Sequence, residues 1–140
     1  MVAGSGGARR WRVDEQTAVE GVARQVRVAL ESADLEAFAQ LLDPQVRWGP
    51  PGARPPPCRN RDQVLAWYRR GRQAGARAKV TEVVVEGDRI VVGLAVGNAA
   101  ADGDGGGEVP RWQVLAVRAG RVVDIVGFED REEALSHARA

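Results

Sequence analysis

The amino-acid sequence predicts a single α+β domain with an antiparallel sheet. Two observations support this class. Apolar residues recur with a helical period in the first half of the chain, and short apolar runs separated by turn signals follow from Lys79 onward. Helices that precede a run of adjacent strands are typical of an antiparallel sheet covered by helices. A chain of 140 residues suits one core, so we predict a disordered tail over residues 1–12 and one domain over residues 13–140.

Three helices are predicted before the main run of strands. The first begins at Asp14, which is a suitable N-cap, and the second follows a break at residues 32–34. The second helix ends at Asp43, because a residue that precedes proline is pushed out of the α region. Asn60 caps the third helix, and Gly75 is a suitable stop signal.

Five strands and a last helix complete the predicted order. A short strand lies at residues 45–48, and two hairpins turn at residues 87–88 and 119–120. The segment 99–109 (AAADGDGGGEV) is of low complexity, and its glycines make ordering costly. Residues 129–140 form a short terminal helix.

Composition excludes several kinds of partner. Lys and Arg total 20 and Asp and Glu total 19, so a net charge of +1 provides no general field for nucleic acid or an acidic membrane. The sequence has no apolar run of about 18 residues that could cross a bilayer and no apolar signal-peptide region at its start. A single cysteine permits no internal disulfide and favours a reducing compartment. We therefore predict a cytoplasmic protein that binds neither nucleic acid nor membrane.

Metal and nucleotide sites are not indicated. His137 is the single histidine, and no group of His, Cys, Asp and Glu has the spacing of metal ligands. The glycine run at residues 103–107 lacks the Lys and Ser or Thr that end a phosphate-binding loop. We predict no metal and no cofactor.

Several segments, in this order, resemble one family. They are two N-terminal helices, LLDPQVRWGPPG, the helix DQVLAWYRR, two hairpins and the ending GRVVDIVGFEDREEAL. The chain from about residue 13 to residue 138 resembles the SnoaL-like superfamily, also called the nuclear transport factor 2-like fold. The resemblance implies a curved sheet wrapped around a helix, with a cavity open at one end. Members include ketosteroid isomerases, polyketide cyclases, epoxide hydrolases and dehydratases, and homodimers are common among them.

The usual catalytic acids of these enzymes are absent. The resemblance places one acid near the end of the first strand, where this chain has Trp48 and Gly49. A second acid is frequent in the last strand, where Gly127 stands here. A carboxylate in an apolar cavity provides such enzymes with a tuned base. Its absence at both positions counts against the standard mechanism.

Five aromatic residues are predicted to line the cavity if the resemblance holds. Flat apolar ligands are bound by such rings, with a few polar atoms that set orientation. The alternative is that these residues are ordinary core. One of them, Tyr68, could also donate a hydrogen bond to a ligand carbonyl, as a tyrosine does in the family's isomerases, or its hydroxyl could simply meet a neighbour or water. The five residues are Trp48, Trp67, Tyr68, Trp112 and Phe128.

Asp124 is the best remaining acid if its side chain points inward. Simple alternation places it on the same strand face as Val122 and Val126, so its orientation is left open.

Cys58 is a second catalytic candidate outside the aromatic set. It precedes the third helix and lies between Arg59 and Arg61, and positive neighbours and a helix N-terminus lower a thiol pKa. The alternative is a small buried side chain.

Three functions follow from these observations. The first hypothesis is a protein that binds a small hydrophobic molecule and need not catalyse a reaction. The alternative is an isomerase, cyclase or dehydratase that works through Tyr68 with Asp124 or Cys58. The third is an interaction module whose open sheet face forms a homodimer.

Overall fold

The computed structural model of the protein describes residues 2–98 and 108–140, with side chains over residues 15–97 and 108–140. Among the described residues, no helix is both long and apolar enough to span a membrane. The elements in chain order are α1 (Val2–Glu31), α2 (Leu35–Leu41), β1 (Leu42–Gly49), α3 (Arg61–Gln73), β2 (Ala76–Glu86), β3 (Arg89–Asn98), β4 (Val109–Arg118), β5 (Arg121–Phe128) and α4 (Arg131–Arg139).

The five strands form one sheet in the order β1-β5-β4-β3-β2. The pairs β2–β3, β3–β4 and β4–β5 are antiparallel. In contrast, β1 pairs parallel with β5, with Trp48 opposite Ile125. The α+β class is therefore confirmed, but the sheet is mixed and not purely antiparallel. No hairpin joins β1 to β5, so no tight turn imposes an antiparallel direction on this pair.

The sheet has two covered faces. On the inner face, the helices α1, α2 and α3 enclose the larger core cluster, which includes Val26, Phe38 and Ile125. On the outer face, α4 packs Ala134 and Leu135 against a smaller cluster from β3, β4 and β5. Register shifts in three strand pairs bend the sheet locally, as β-bulges do.

Side chains cap three of the helices. Asp34, Asn60 and Asp130 each accept a hydrogen bond from the backbone N–H three residues later, at 2.9–3.0 Å. These bonds satisfy N–H groups that have no partner inside a helix. The predicted cap at Asn60 is confirmed, and the positive φ of Gly75 confirms the predicted stop of α3.

Two predictions concern the N-terminal segment and the segment 99–109. The helix α1 begins at Val2 and not at Asp14, in a segment that contains no proline to interrupt it. The side chains before Glu15 are outside the described residues, so the assignment of residues 1–12 to a tail stays a prediction. Residues 99–107 of the predicted loop also lie outside the described residues.

A polar cluster joins α4 to the outer face. Arg131 donates to Glu82 through Nε at 2.7 Å and through Nη2 at 3.1 Å, and Trp112 Nε1 donates to the same carboxylate at 3.2 Å. The hydrogen bond from Arg131 lowers the pKa of Glu82, although partial burial opposes this change. Gly93 lies beneath the cluster, and a Cβ there would approach Glu82 Cγ to 2.9 Å and Trp112 Nε1 to 3.0 Å.

We expect Gly93→Ala to lower the free energy of unfolding by about 1–3 kcal/mol, because the added methyl group overpacks this cluster. Urea denaturation measures the change. Gly97→Ala is the matched control on the same strand, since its Cβ would meet only Glu108 Cγ at an ordinary 3.5 Å. Equal stability of the two variants would contradict the close packing at Gly93.

Candidate functional site

A cavity of about 660 Å³ lies between α3 and the inner face of the sheet. Small-molecule sites typically measure about 300–1,000 Å³, so the volume suits an organic ligand. The lining residues come from both sides, for example Leu30 of α1, Tyr68 of α3 and Leu94 of β3. Exposed residues such as Arg77 and Glu129 mark where the cavity meets solvent.

The backbone between β1 and α3 places a layer of aromatic side chains against the cavity. Trp48 and Cys58 exchange two backbone hydrogen bonds, of 3.0 and 3.1 Å, which fold the proline-rich segment back onto the sheet edge. The helix α3 then begins beside β1, and the ring centroid of Trp67 lies 4.1 Å from that of Trp48. Tyr68 meets Trp67 and Phe38 edge-on, at 5.1 and 5.4 Å. Trp48, Trp67 and Tyr68 together form the aromatic layer of the cavity.

One hydrogen-bond donor in the aromatic layer has no acceptor among the described residues. The indole Nε1 of Trp48 is buried and has no hydrogen-bond partner among the described residues. A buried donor without a partner costs about 1–3 kcal/mol. Trp48 borders the cavity, so an acceptor that reached the indole would offset this cost.

A neutral hydrogen bond joins the helix α3 to the sheet at the cavity wall. The Tyr68 hydroxyl donates to Gln113 Oε1 at 3.1 Å, and both residues line the cavity. Burial raises the pKa of Tyr68 to about 12, while the bond to Gln113 acts in the opposite direction. The phenol therefore stays protonated at neutral pH, and the amide nitrogen of Gln113 can serve as a donor.

Sequence reasoning missed Gln113. It is only 7% exposed, although glutamine is mostly found at the surface. The signal was present, because Gln113 is a polar residue within an apolar strand and shares its face with Leu115 two positions later.

Trp112 and Phe128 border the cavity but belong mainly to the outer face. Trp112 uses its indole N–H for Glu82, as described above. The Phe128 ring packs 5.2 Å from that of His137 in α4. Of the five aromatic residues singled out, Trp48, Trp67 and Tyr68 form the aromatic layer, and whether any of the five contacts a ligand stays a prediction.

Asp124 does not line the cavity. Its carboxylate faces Arg47, with Oδ1 3.6 Å from Nε, on the outer side of the sheet edge with Val126. The condition under which Asp124 was a candidate acid, an inward side chain, is therefore not met.

Cys58 is buried, and it does not line the cavity. Its Sγ lies 3.7 Å from the carbonyl oxygen of Gln63, to which it can donate. Burial raises the pKa of the thiol, and this effect exceeds the opposing influence of Arg70. Of the two alternatives for Cys58, the small buried side chain agrees with the structure, whereas a lowered pKa does not, because the effect of burial is the larger one.

In the part of the chain that the structure describes, carboxylates line the cavity only at its rim. Among the described lining residues they are Glu31 and Glu129, whose side chains are 48% and 83% exposed. Within the described residues, no three His, Cys, Asp or Glu side chains are grouped as a metal site. The interior therefore presents aromatic and aliphatic surface with a neutral phenol and amide.

The fold and the cavity define a class: an α+β protein in which helices cover a mixed sheet and leave a hollow of ligand size. The chain belongs to the SnoaL-like domain family, whose model matches residues 22–125. The resemblance noted in the sequence is thus confirmed. Among curated proteins, none matches the chain.

Solved structures share this fold. Bal32a, from a soil-derived mobile gene cassette, is 20% identical, with a TM-score of 0.66 over 90% of this chain and 99% of that one. A candidate ketosteroid isomerase from Kribbella flavida is 20% identical, with a TM-score of 0.64 over 82% and 79%. An NTF2-like protein of unknown function from Burkholderia pseudomallei is 25% identical, with a TM-score of 0.62 over 88% and 98%.

The single tyrosine of the chain permits a direct test of the polar pair. We expect tyrosinate absorbance to appear with a midpoint about two pH units above the usual value near 10, since the pKa of Tyr68 is about 12. The pKa of Tyr68 is higher in the folded protein than in the unfolded chain. The contribution of the protonated phenol to the free energy of unfolding is therefore complete below about pH 10 and is lost as the pH rises towards 12. Tyr68→Phe has no tyrosine and provides the background absorbance. A midpoint near pH 10, in protein that circular dichroism shows to be folded, would contradict the burial of Tyr68.

Proposed function

We propose that the protein binds a flat, largely apolar small molecule in this cavity and holds it without changing it chemically. One observation carries the proposal: the cavity interior is lined by aromatic surface and a neutral polar pair, and its described carboxylates lie only at the exposed rim. A ligand-sized hollow with a few polar groups is the usual form of a small-molecule site.

The binding energy would come mainly from the aromatic layer. Trp67 is 37% exposed although it packs on Trp48, so part of the indole is available for further contact. A ring placed against it would bury apolar area worth roughly 25 cal/mol per Å². The amide nitrogen of Gln113 could donate to a carbonyl or hydroxyl oxygen of the same molecule and so set its orientation.

An enzyme of the isomerase, cyclase or dehydratase type is the second candidate. The protonated Tyr68 hydroxyl favours it, because this donor, once turned from Gln113 Oε1 to a substrate, would stabilise charge that develops on a carbonyl oxygen. This candidate also needs a base, and the described lining offers only rim carboxylates. It predicts deuterium exchange next to the carbonyl of a bound ketone in wild type and a much slower exchange in Tyr68→Phe. Exchange no faster than in buffer leaves binding as the function.

The predicted homodimer and the predicted cytoplasmic location stay predictions. Light scattering of the purified protein measures the first directly.

The neutral fluorescent probe N-phenyl-naphthylamine tests the binding proposal. We expect saturable binding, and we expect Trp67→Ala to weaken it by on the order of 2 kcal/mol through lost apolar contact. Trp67→Phe keeps an aromatic ring and should lose less. Val28→Ala is the control, because Val28 is 64% exposed on α1 and does not line the cavity. Unchanged affinity in a folded Trp67→Ala variant would exclude Trp67 from the site.

Native mass spectrometry of the protein purified from its source addresses the natural ligand. A retained small molecule that is lost from the Trp67→Ala variant would support the proposal.

A further inference from the structure

The mouth of the cavity has an excess of positive charge. Arg72, Arg77 and Arg111 line it, against the two carboxylates of Glu31 and Glu129. Glu31 pairs with an arginine one turn earlier in α1, at 3.2 Å, and Glu129 lies 4.0 Å from Arg111. Within residues 15–97 and 108–140, Arg72 and Arg77 form no ion pair. The excess is local, since the whole chain has a net charge of +1.

Backbone carbonyl groups hold both of these guanidinium groups in place. Arg72 Nη1 donates to Ala33 O at 3.2 Å. Arg77 Nη1 donates to Ala76 O at 2.8 Å and to Arg72 O at 3.1 Å. A guanidinium has five N–H groups, so the Nε and Nη2 donors of each arginine are left over from these bonds. Positioned donors lose less freedom when a ligand binds.

The two arginines are also close neighbours. The bond from Arg77 to the Arg72 carbonyl places one positive side chain against the residue that carries the other. No described carboxylate lies within ion-pair distance of either guanidinium group, and an anion could take that place. Guanidinium groups suit carboxylate and other oxyanions because their parallel N–H groups match pairs of oxygen atoms.

Arg72 at the mouth of the cavity and Tyr68 in its interior lie on one face of α3. Arg72 follows Tyr68 by four residues, so their side chains are neighbours on the helix, about 5–6 Å apart at Cβ. Both line the cavity, and the ring of Tyr68 lies edge-on to Trp67. A molecule of ordinary ligand length that lies against the aromatic layer would therefore bring its outer end to the arginines.

We infer that Arg72 and Arg77 bind an oxyanion at the end of the ligand, which is then a planar apolar acid and not a neutral hydrocarbon-like molecule. This inference rests on the proposed function, because it assigns the outer end of the molecule that the cavity holds. The aromatic layer provides the apolar contact, and the two arginines select the charged end.

A pair of probes with one aromatic skeleton tests the inference. N-phenyl-naphthylamine is neutral, and anilinonaphthalene sulfonate is the same skeleton with one sulfonate. We expect the sulfonate to bind wild-type protein about tenfold more tightly, since each exposed charge pair is worth up to about fivefold. The preference should shrink when NaCl is raised from about 0.05 M to about 0.5 M.

The double variant Arg72→Gln with Arg77→Gln should lose most of this preference and keep its affinity for the neutral probe. Arg77→Gln alone is the second variant in case the double variant does not fold, and we expect it to lose about threefold. The matched control is Arg118→Gln with Arg121→Gln, which removes the same charge at the β4–β5 turn, away from the cavity lining. This control should keep the full preference.

The outcomes separate the two proposals. Equal binding of both probes to wild type, or a preference that survives loss of both arginines, overturns the oxyanion site and leaves the apolar cavity standing. Binding of neither probe overturns the cavity proposal itself.

Discussion

Two backbone hydrogen bonds between Trp48 and Cys58 determine where the third helix lies. They tie the end of β1 to a residue three positions before α3, across a segment that has few backbone donors because its prolines have no N–H. With β1 held at the sheet edge by parallel pairing to β5, the helix must start there and cross the inner face. The stacked indoles of Trp48 and Trp67, the phenol of Tyr68 and the hollow beside them all depend on this placement.

The two faces of the sheet use polar groups in opposite ways. On the outer face, Glu82 is ionised and its oxygens are occupied by Arg131 and Trp112, so the charge is compensated where it is partly buried. On the inner face, Tyr68 and Gln113 form a neutral pair, which avoids the large cost of burying an unpaired charge. Among the described residues, charge on the cavity side appears only at the mouth, where solvent reduces that cost. The described cavity side therefore presents apolar area and neutral polar groups inside and charged groups at its mouth.

Local signals in the sequence were sufficient for much of the fold. The cap at Asn60, the break at residues 32–34 and the stop at Gly75 depend on residues within a few positions, and the structure has helix ends there. The turn at Ala119 and Gly120, both with positive φ, is equally local. Electrostatic effects were harder to predict. Cys58 has two arginines beside it in the sequence, yet its pKa is raised, because desolvation depends on atoms that are distant along the chain.

The sequence by itself determined the α+β class and the order of helices and strands, because periodicity, caps and turns act over short distances. The family was indicated by the resemblance of its segments to those of known members. Only the tertiary structure decided the parallel direction of β1, the outward position of Asp124, the outer-face packing of Trp112 and the part played by Gln113. A two-residue period indicates that a strand has two faces without indicating which of them is inside. The register shift between Ala116 and Val117, opposite β5 near Asp124, further changes the alternation there, and it arises from pairing between strands that no single segment encodes.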